Sequence, residues 1–318
     1  MTKVLVFAFV LALTVDSHPL TAQKPTEPPG SFVTVNGHRL WYRSSGHGRP
    51  LVLIPGGPGS SHSYFYPFFE RLSDSIRVIY FDAYGRGRSD HATDPHEYTF
   101  AHDVDEVEGL RITLNLGKIT VYGHSYGGIV AQAYALKYPT SLDHLILANT
   151  FHSAEMWQKG NNDNWNHELE NQFPDLWEEL QHLRAAGGVS CDSAYQAVEG
   201  RMPASLVYYY DPSNVAGANY ASFDMNLQVY CQIAGPDADV VLGGDLSSID
   251  FRRRLRTIAV PTLVLAGRFD RVAIPRYTMQ FKTLIPRARF VLFEQSGHEP
   301  FVEEPERHDS TVRAFLAH

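Results

Sequence analysis

The sequence predicts an α/β protein, with a mostly parallel twisted sheet flanked by helices and a helical segment inserted between two of its strands. Three observations carry this. Short apolar runs rich in Val, Ile and Leu recur along the chain, as strands buried on both faces require. Helical patterns separate several of these runs, and strand–helix alternation builds parallel sheets covered on both sides. The alternation stops between about residues 150 and 250 and then resumes, as it does when a segment is inserted into a fold.

The elements follow in chain order. Lys3 precedes an apolar run of 12 residues, Val4 to Val15. A bilayer span takes roughly 20 residues, so no stable membrane span is expected there. The run fits the core of a secretory signal, with removal after about residue 22 and a secreted or periplasmic destination. The alternative is a membrane anchor formed by residues 4–15. Residues 23–30 are rich in proline and read as a linker. Residues 32–35 and 40–42 then form a hairpin, because Asn36-Gly37 supplies the positive φ angles of a tight turn. Parallel strands are expected at 51–54, 78–81, 119–122, 145–148, 262–266 and 290–293, and helices at 129–137 and 276–284. The core is thus 31–149 plus 251–318. Residues 150–250, with Trp157, Trp165, Trp177 and Tyr208-Tyr209-Tyr210, form a helical cap.

Composition narrows the function. The 318 residues carry 27 Lys+Arg against 35 Asp+Glu, a formal charge of −8, which argues against a nucleic-acid partner. With 44% hydrophobic and 19% charged residues the chain can bury a core, so global disorder is excluded. Two cysteines allow neither a disulfide framework nor a multi-thiolate metal site. If the protein is exported, Cys191 and Cys231 can meet as a disulfide; otherwise they are two core thiols.

The chemistry concentrates at Gly123-His124-Ser125-Tyr126-Gly127-Gly128, a G-x-S-x-G motif that follows a strand and opens a helix. A Cβ at Gly123 or Gly127 would crowd the neighbouring backbone. The turn lifts Ser125 above the sheet edge at a helix N-terminus, where the dipole favours developing negative charge. A serine hydroxyl needs a base oriented by an acid. Asp270 and His298 each follow a strand, and the order Ser, acid, His is the one this motif requires. His124, beside the nucleophile, reads as ordering the turn rather than catalysing. Gly57, in Pro55-Gly56-Gly57-Pro58-Gly59, and Tyr126 are the expected backbone N–H donors of an oxyanion hole. A phosphate loop is excluded because no Lys-Ser/Thr follows these glycines. No metal or organic cofactor is expected.

The chain resembles the α/β-hydrolase superfamily, and within it the proline iminopeptidase-like branch. The likeness rests on Gly56–Gly59, Ser61-His62-Ser63-Tyr64, Asp82-x-x-Gly85-x-Gly87-x-Ser89, Gly123–Gly128, and Val229-Tyr230 through Gly235-Pro236 to Gly243 and Asp250, and spans residues 31–318. It implies a Ser125–Asp270–His298 triad cleaving amides or esters of a small molecule or short peptide through an acyl-enzyme. Two departures bear on specificity. Pro55 replaces the usual histidine before Gly-Gly-Pro-Gly. Acids that hold a substrate's free amine lie in this branch just after Gly-Pro-x, where Asp237 or Asp239 can stand in, and directly after the triad acid, where this chain has Arg271. A cation there repels an ammonium, unless it pairs with a cap acid such as Asp239. Tyr230, Asp237, Asp239 and Arg271 are therefore the candidate substrate-binding residues. The expected activity is a proline iminopeptidase-like peptidase or amidase. The alternatives are a carboxylesterase or lactonase-type hydrolase of an apolar substrate without a free amine, and a ligand-binding protein that does not turn over.

Overall fold

A computed structural model describes residues 26–203, 205–215 and 224–317. The expected signal segment and residues 23–25 of the linker lie outside the described residues.

Eight strands form one sheet in the order β1-β2-β4-β3-β5-β6-β7-β8. β1 (Ser31–Val35) and β2 (His38–Ser45) make the expected hairpin. Asn36 and Gly37 turn it with φ of 51° and 91°. β2 also runs antiparallel to β4 (Ile76–Phe81), and every later pairing is parallel. The remaining strands are β3 (Arg49–Ile54), β5 (Ile119–His124), β6 (Leu142–Ala148), β7 (Thr262–Gly267) and β8 (Ala288–Phe293). Each contains its expected run and extends it by one to three residues. β5 and β7 are buried at every position, which is why they read as unbroken apolar runs rather than alternating ones.

One hydrophobic cluster lies on each face of the sheet. Val52, Ile79, Val121 and Leu147 pack on one side with α1 (Phe100–Thr113) and α2 (Tyr126–Lys137). Leu51, Val78, Tyr122 and Ile146 pack on the other with the C-terminal helix, Pro305–Leu316. Adjacent strand residues point to opposite faces, so one apolar run supplies both cores.

Between β6 and β7 the described chain is helical: α3 (Ala154–Trp157), α4 (Asp163–Gln172), α5 (Pro174–Ala185), α6 (Ser193–Glu199), α7 (Ser205–Tyr208) and α8 (Leu227–Ala234). The two ends of the insertion are stitched by a bridge between Ser153 and Asp250 and by the Ala154 and Phe251 N–H groups, which donate to Ile249 and His152 carbonyls. Cys191 and Cys231 form a disulfide across this region, their Cα atoms 6.1 Å apart. That resolves the two options the sequence left open.

Two local expectations change. The helix read at 276–284 is two short ones, α9 (Pro275–Thr278) and α10 (Phe281–Leu284), interrupted at Met279-Gln280. The linker is docked at Glu27, whose carboxylate meets His62 Nε2 at 2.8 Å, Arg88 at 3.0 Å and Arg43 at 3.4 Å. Two guanidinium groups and the His62 ring converging on one carboxylate hold the segment to the core.

Candidate active site

The turn after β5 is as tight as its glycines suggest. Ser125 adopts φ 54° and ψ −122°, a conformation that non-glycine residues hold only under constraint. A Cβ on Gly123 would lie 2.3 Å from the Gly127 carbonyl oxygen, and one on Gly127 would lie 2.1 Å from the Ile54 oxygen. Glycine is therefore required for β3, the turn and α2 to close on one another. Ser125 is 9% exposed and opens into a cavity of about 390 Å³.

His298 lines the same cavity, and its Nδ1 lies 3.0 Å from Asp270 Oδ2. Asp270 sits in a tight turn after β7. Its Oδ1 accepts the N–H groups of Val272 and Ala273 at 2.8 Å each, while Asn149 donates to Oδ2 at 2.8 Å. Burial alone would raise the Asp270 carboxyl; the facing His298 and these donors outweigh it and hold the group below its ordinary value. The Asp270 carboxylate beside Nδ1 favours the tautomer with its proton there, in which Nε2 can accept a proton. Among the described residues the Ser125 hydroxyl and His298 Nε2 are not hydrogen-bonded; such contacts commonly tighten only with substrate.

The glycine loop after β3 lies against Ser125. Gly56 and Gly57 line the cavity, with Gly57 at φ 105°. Tyr126 is the first residue of α2, so its N–H has no acceptor within the helix. The loop is held at two points. The Gly56 N–H donates to the Tyr64 hydroxyl at 2.6 Å, and Arg86 Nε donates to the Pro58 carbonyl at 2.9 Å. Arg86 also pairs through two nitrogens with Asp103, which accepts from the Tyr126 hydroxyl at 2.5 Å. His124 is the structural residue its position suggested. Its Nε2 meets the His298 carbonyl at 2.9 Å and its Nδ1 the Tyr64 hydroxyl at 3.0 Å. Burial, then the neighbouring His298, pushes it down to about 3, so it stays neutral.

The far wall of the cavity comes from the cap: Phe151, Trp157, Trp165, Met202, Tyr208 and Tyr230. Two carboxylates interrupt this apolar lining, Glu199 and Asp239. Asp239 accepts from the Tyr230 hydroxyl at 2.5 Å, and Glu199 accepts from Trp165 Nε1 at 2.8 Å. Gln196 Nε2 stands 3.3 Å from each. Burial, and then the charge of Asp239, pushes Glu199 up to about 8; burial raises Asp239 too. Two carboxylates this close cannot both ionise freely, so they hold a proton between them near neutrality.

The structure sorts the sequence candidates. It brings together Ser125, Asp270, His298, Gly57, Tyr230 and Asp239, with Tyr126 adjoining Ser125. Asp237 does not join them: its carboxylate is bound by Arg184 at 2.7 Å and 3.0 Å and by the Ser190 N–H. Arg271 does not line the cavity either, although Val272 does. The Asp239 carboxylate is met by Tyr230 and Gln196. The turn that aims Asp270 inward directs the next side chain elsewhere. Glu199, Asn149 and Tyr64 were not identified from the sequence. Tyr64 lay within a quoted motif, whereas no local pattern marks Glu199 or Asn149. Among the described residues no group of three or more His, Cys, Asp or Glu side chains is placed to hold a metal ion.

Comparison with known proteins agrees with this architecture. Residues 49–188 match the α/β hydrolase fold family. The proline iminopeptidase of Heyndrickxia coagulans is 30% identical over 290 residues, covering 90% of this chain and 97% of that protein. The crystal structure of VinJ superposes with a TM-score of 0.75 at 27% identity, over 91% of this chain and 98% of that one. The proline iminopeptidase of Mycobacterium smegmatis superposes with a TM-score of 0.71 at 24% identity, over the same shares. With such relatives matching over nine-tenths of its length, the chain belongs to the α/β-hydrolase family, as a hydrolase of the proline iminopeptidase-like branch.

Proposed function

We propose that the protein is a serine aminopeptidase or amidase that removes a residue bearing a free amine, with Glu199 and Asp239 binding that amine. The observation that carries this reading is the buried carboxylate pair in the cavity that Ser125 and His298 also line. A pair holding one proton has one cation too few. A substrate ammonium replaces that proton, and each carboxylate takes one of its N–H groups. The aromatic walls suit a small apolar residue such as proline or alanine. Arg271, placed outside the cavity lining, does not oppose an ammonium there.

In this mechanism Ser125 Oγ attacks the scissile carbonyl while His298 Nε2 takes its proton. The oxyanion forms against the N–H groups of Gly57 and Tyr126, each worth about 3 kcal/mol of barrier. His298 returns the proton to the leaving amine, and the acyl-enzyme is hydrolysed with His298 as base again. We also infer that the protein is exported. The apolar run after Lys3 supports this, as does the Cys191–Cys231 disulfide, since such bonds persist in oxidising compartments.

A chromogenic panel tests the specificity: prolyl and alanyl anilides, their N-acetyl forms, and short p-nitrophenyl esters. The expected result is a preference for free amines that acetylation abolishes, and an Asp239→Asn variant whose KM for the free amines rises at least tenfold. Equal or better cleavage of esters and blocked amides would establish the esterase alternative instead. Ser125→Ala should lose covalent labelling by a fluorophosphonate, and an unlabelled wild-type protein would remove the nucleophile assignment.

A further inference from the structure

The geometry points to a specificity role for the Cys191–Cys231 disulfide: it is the clasp that holds Asp239 in the amine-binding position. This rests on the aminopeptidase reading above.

Asp239 follows α8 and α6 in space rather than belonging to either. It is held by residues directly beside the two cysteines. Tyr230, the neighbour of Cys231, donates its hydroxyl to Asp239 Oδ1 at 2.5 Å. Ser190, the neighbour of Cys191, presents its Oγ to the Asp239 N–H at 3.1 Å. The Ser190 carbonyl also receives Gln196 Nε2 at 2.7 Å, and Gln196 stands between the two carboxylates. The Cys191 N–H donates to the Pro236 carbonyl at 3.0 Å, in the turn that leads to Asp239. Asp239 is therefore held at its backbone N–H by Ser190, beside Cys191, and at its carboxylate by Tyr230 of α8, beside Cys231. The disulfide is the covalent link between these two segments, 40 residues apart in sequence.

The physical consequence is preorganisation. Glu199 and Asp239 keep their positions through the side chains that support them. A link that holds both supports reduces the ordering that substrate binding must otherwise impose. Ser125, His298, Gly57 and Tyr126 come from the turn after β5, the loop after β8, the loop after β3 and α2, none of which holds Cys191 or Cys231. Breaking it should weaken amine binding and leave bond cleavage intact.

Dithiothreitol supplies the two electrons and two protons. One of its thiolates attacks a cysteine sulfur, its second thiol closes the ring, and both cysteine thiols are released. The experiment compares the oxidised protein, the protein reduced with dithiothreitol and then blocked with iodoacetamide, and a Cys191→Ser/Cys231→Ser variant. Each is assayed with prolyl anilide and with p-nitrophenyl acetate, and its melting temperature is recorded. The expected result is a 5- to 20-fold rise in KM for the anilide on breaking the link, with kcat for the anilide and kcat/KM for the ester within twofold. An unchanged anilide KM overturns the proposal, and so does a parallel fall in both activities. Should the serine variant not fold, reduction of the folded wild-type protein reads the same quantities. If the oxidised protein shows no preference for free over acetylated amines, the aminopeptidase reading fails and the clasp falls with it. If that preference is present but indifferent to reduction, only the clasp fails.

Discussion

Gly127→Ala places a methyl group where the nucleophile turn meets the end of β3. The added Cβ would lie 2.1 Å from the Ile54 oxygen and 2.5 Å from the Pro55 oxygen, the first about 0.9 Å inside the 3.0 Å that such contacts keep. Both atoms are backbone, so neither can swing aside like a side chain. Either α2 retreats, carrying Ser125 and the Tyr126 N–H with it, or the glycine loop retreats, carrying Gly57. In both cases the proposed Gly57 donor separates from Ser125 and the Tyr126 N–H by close to 1 Å. A misplacement of that size costs about 100-fold in rate, equivalent to about 2.7 kcal/mol. Overpacking also lowers stability by roughly 1–3 kcal/mol. Steady-state kinetics on p-nitrophenyl acetate, with the active fraction counted by fluorophosphonate labelling, separates a slow enzyme from an unfolded one. The expected result is a kcat about 100-fold lower at nearly full active fraction, together with a reduced melting temperature. Gly37→Ala is the control. That glycine has a positive φ, but nothing lies within 4 Å of its Cβ, so kcat should be unchanged. A Gly127→Ala protein with kcat within threefold of wild type and an unchanged melting temperature would refute the close approach of the turn to β3.

Two further outcomes are expected. Asn149→Ala removes a donor to the buried Asp270 carboxylate, a bond to a charged group worth roughly 1.5–3 kcal/mol. Turnover should fall about 10- to 100-fold with KM within threefold, and an unaltered kcat would show that His298 and the two backbone N–H groups suffice to hold Asp270. Glu27→Gln tests the docked N-terminal segment through pH. Burial would lower His62, but Asp82 and Glu27 outweigh it and raise the ring above its ordinary value. The stability from this rise is fully present below about pH 6.5 and fades as pH climbs through the raised folded value. Burial would raise Glu27, but His62, Arg88 and Arg43 hold it low, so its contribution is present above about pH 4.3 and lost below. The melting-temperature gap between wild type and Glu27→Gln should therefore be widest between about pH 4.3 and 6.5 and narrow at higher pH. A gap of constant size from pH 5 to 9 would show that the His62–Glu27 pair contributes no pH-linked stability.

The parts of this protein that the sequence determined by itself are those encoded locally. Buried strands need unbroken apolar runs, so β5 and β7 were visible as Ile119–Tyr122 and Thr262–Ala266. A turn that brings three backbone segments within a carbon's width needs glycines at fixed spacing, so Ser125 was visible too. Asp270 and His298 followed from their positions after strands, in the order the turn requires. Tertiary structure decided the rest, because the deciding forces act between residues distant in sequence. Asn149 reaches Asp270 across 121 residues, since β6 and β7 are neighbours in the sheet. Glu199 and Asp239 both line one cavity because α6 and the turn after α8 close over it; Glu199 has no local signature, and the Gly-Pro motif offered Asp239 only alongside Asp237. Asp237 and Arg271 show the converse. Both stand beside site residues in sequence, yet backbone direction sends Asp237 to Arg184 and leaves Arg271 outside the cavity lining. Glycines and apolar periodicity report constraints within a few residues, whereas a buried charge finds its partner only once the sheet order has brought distant segments together.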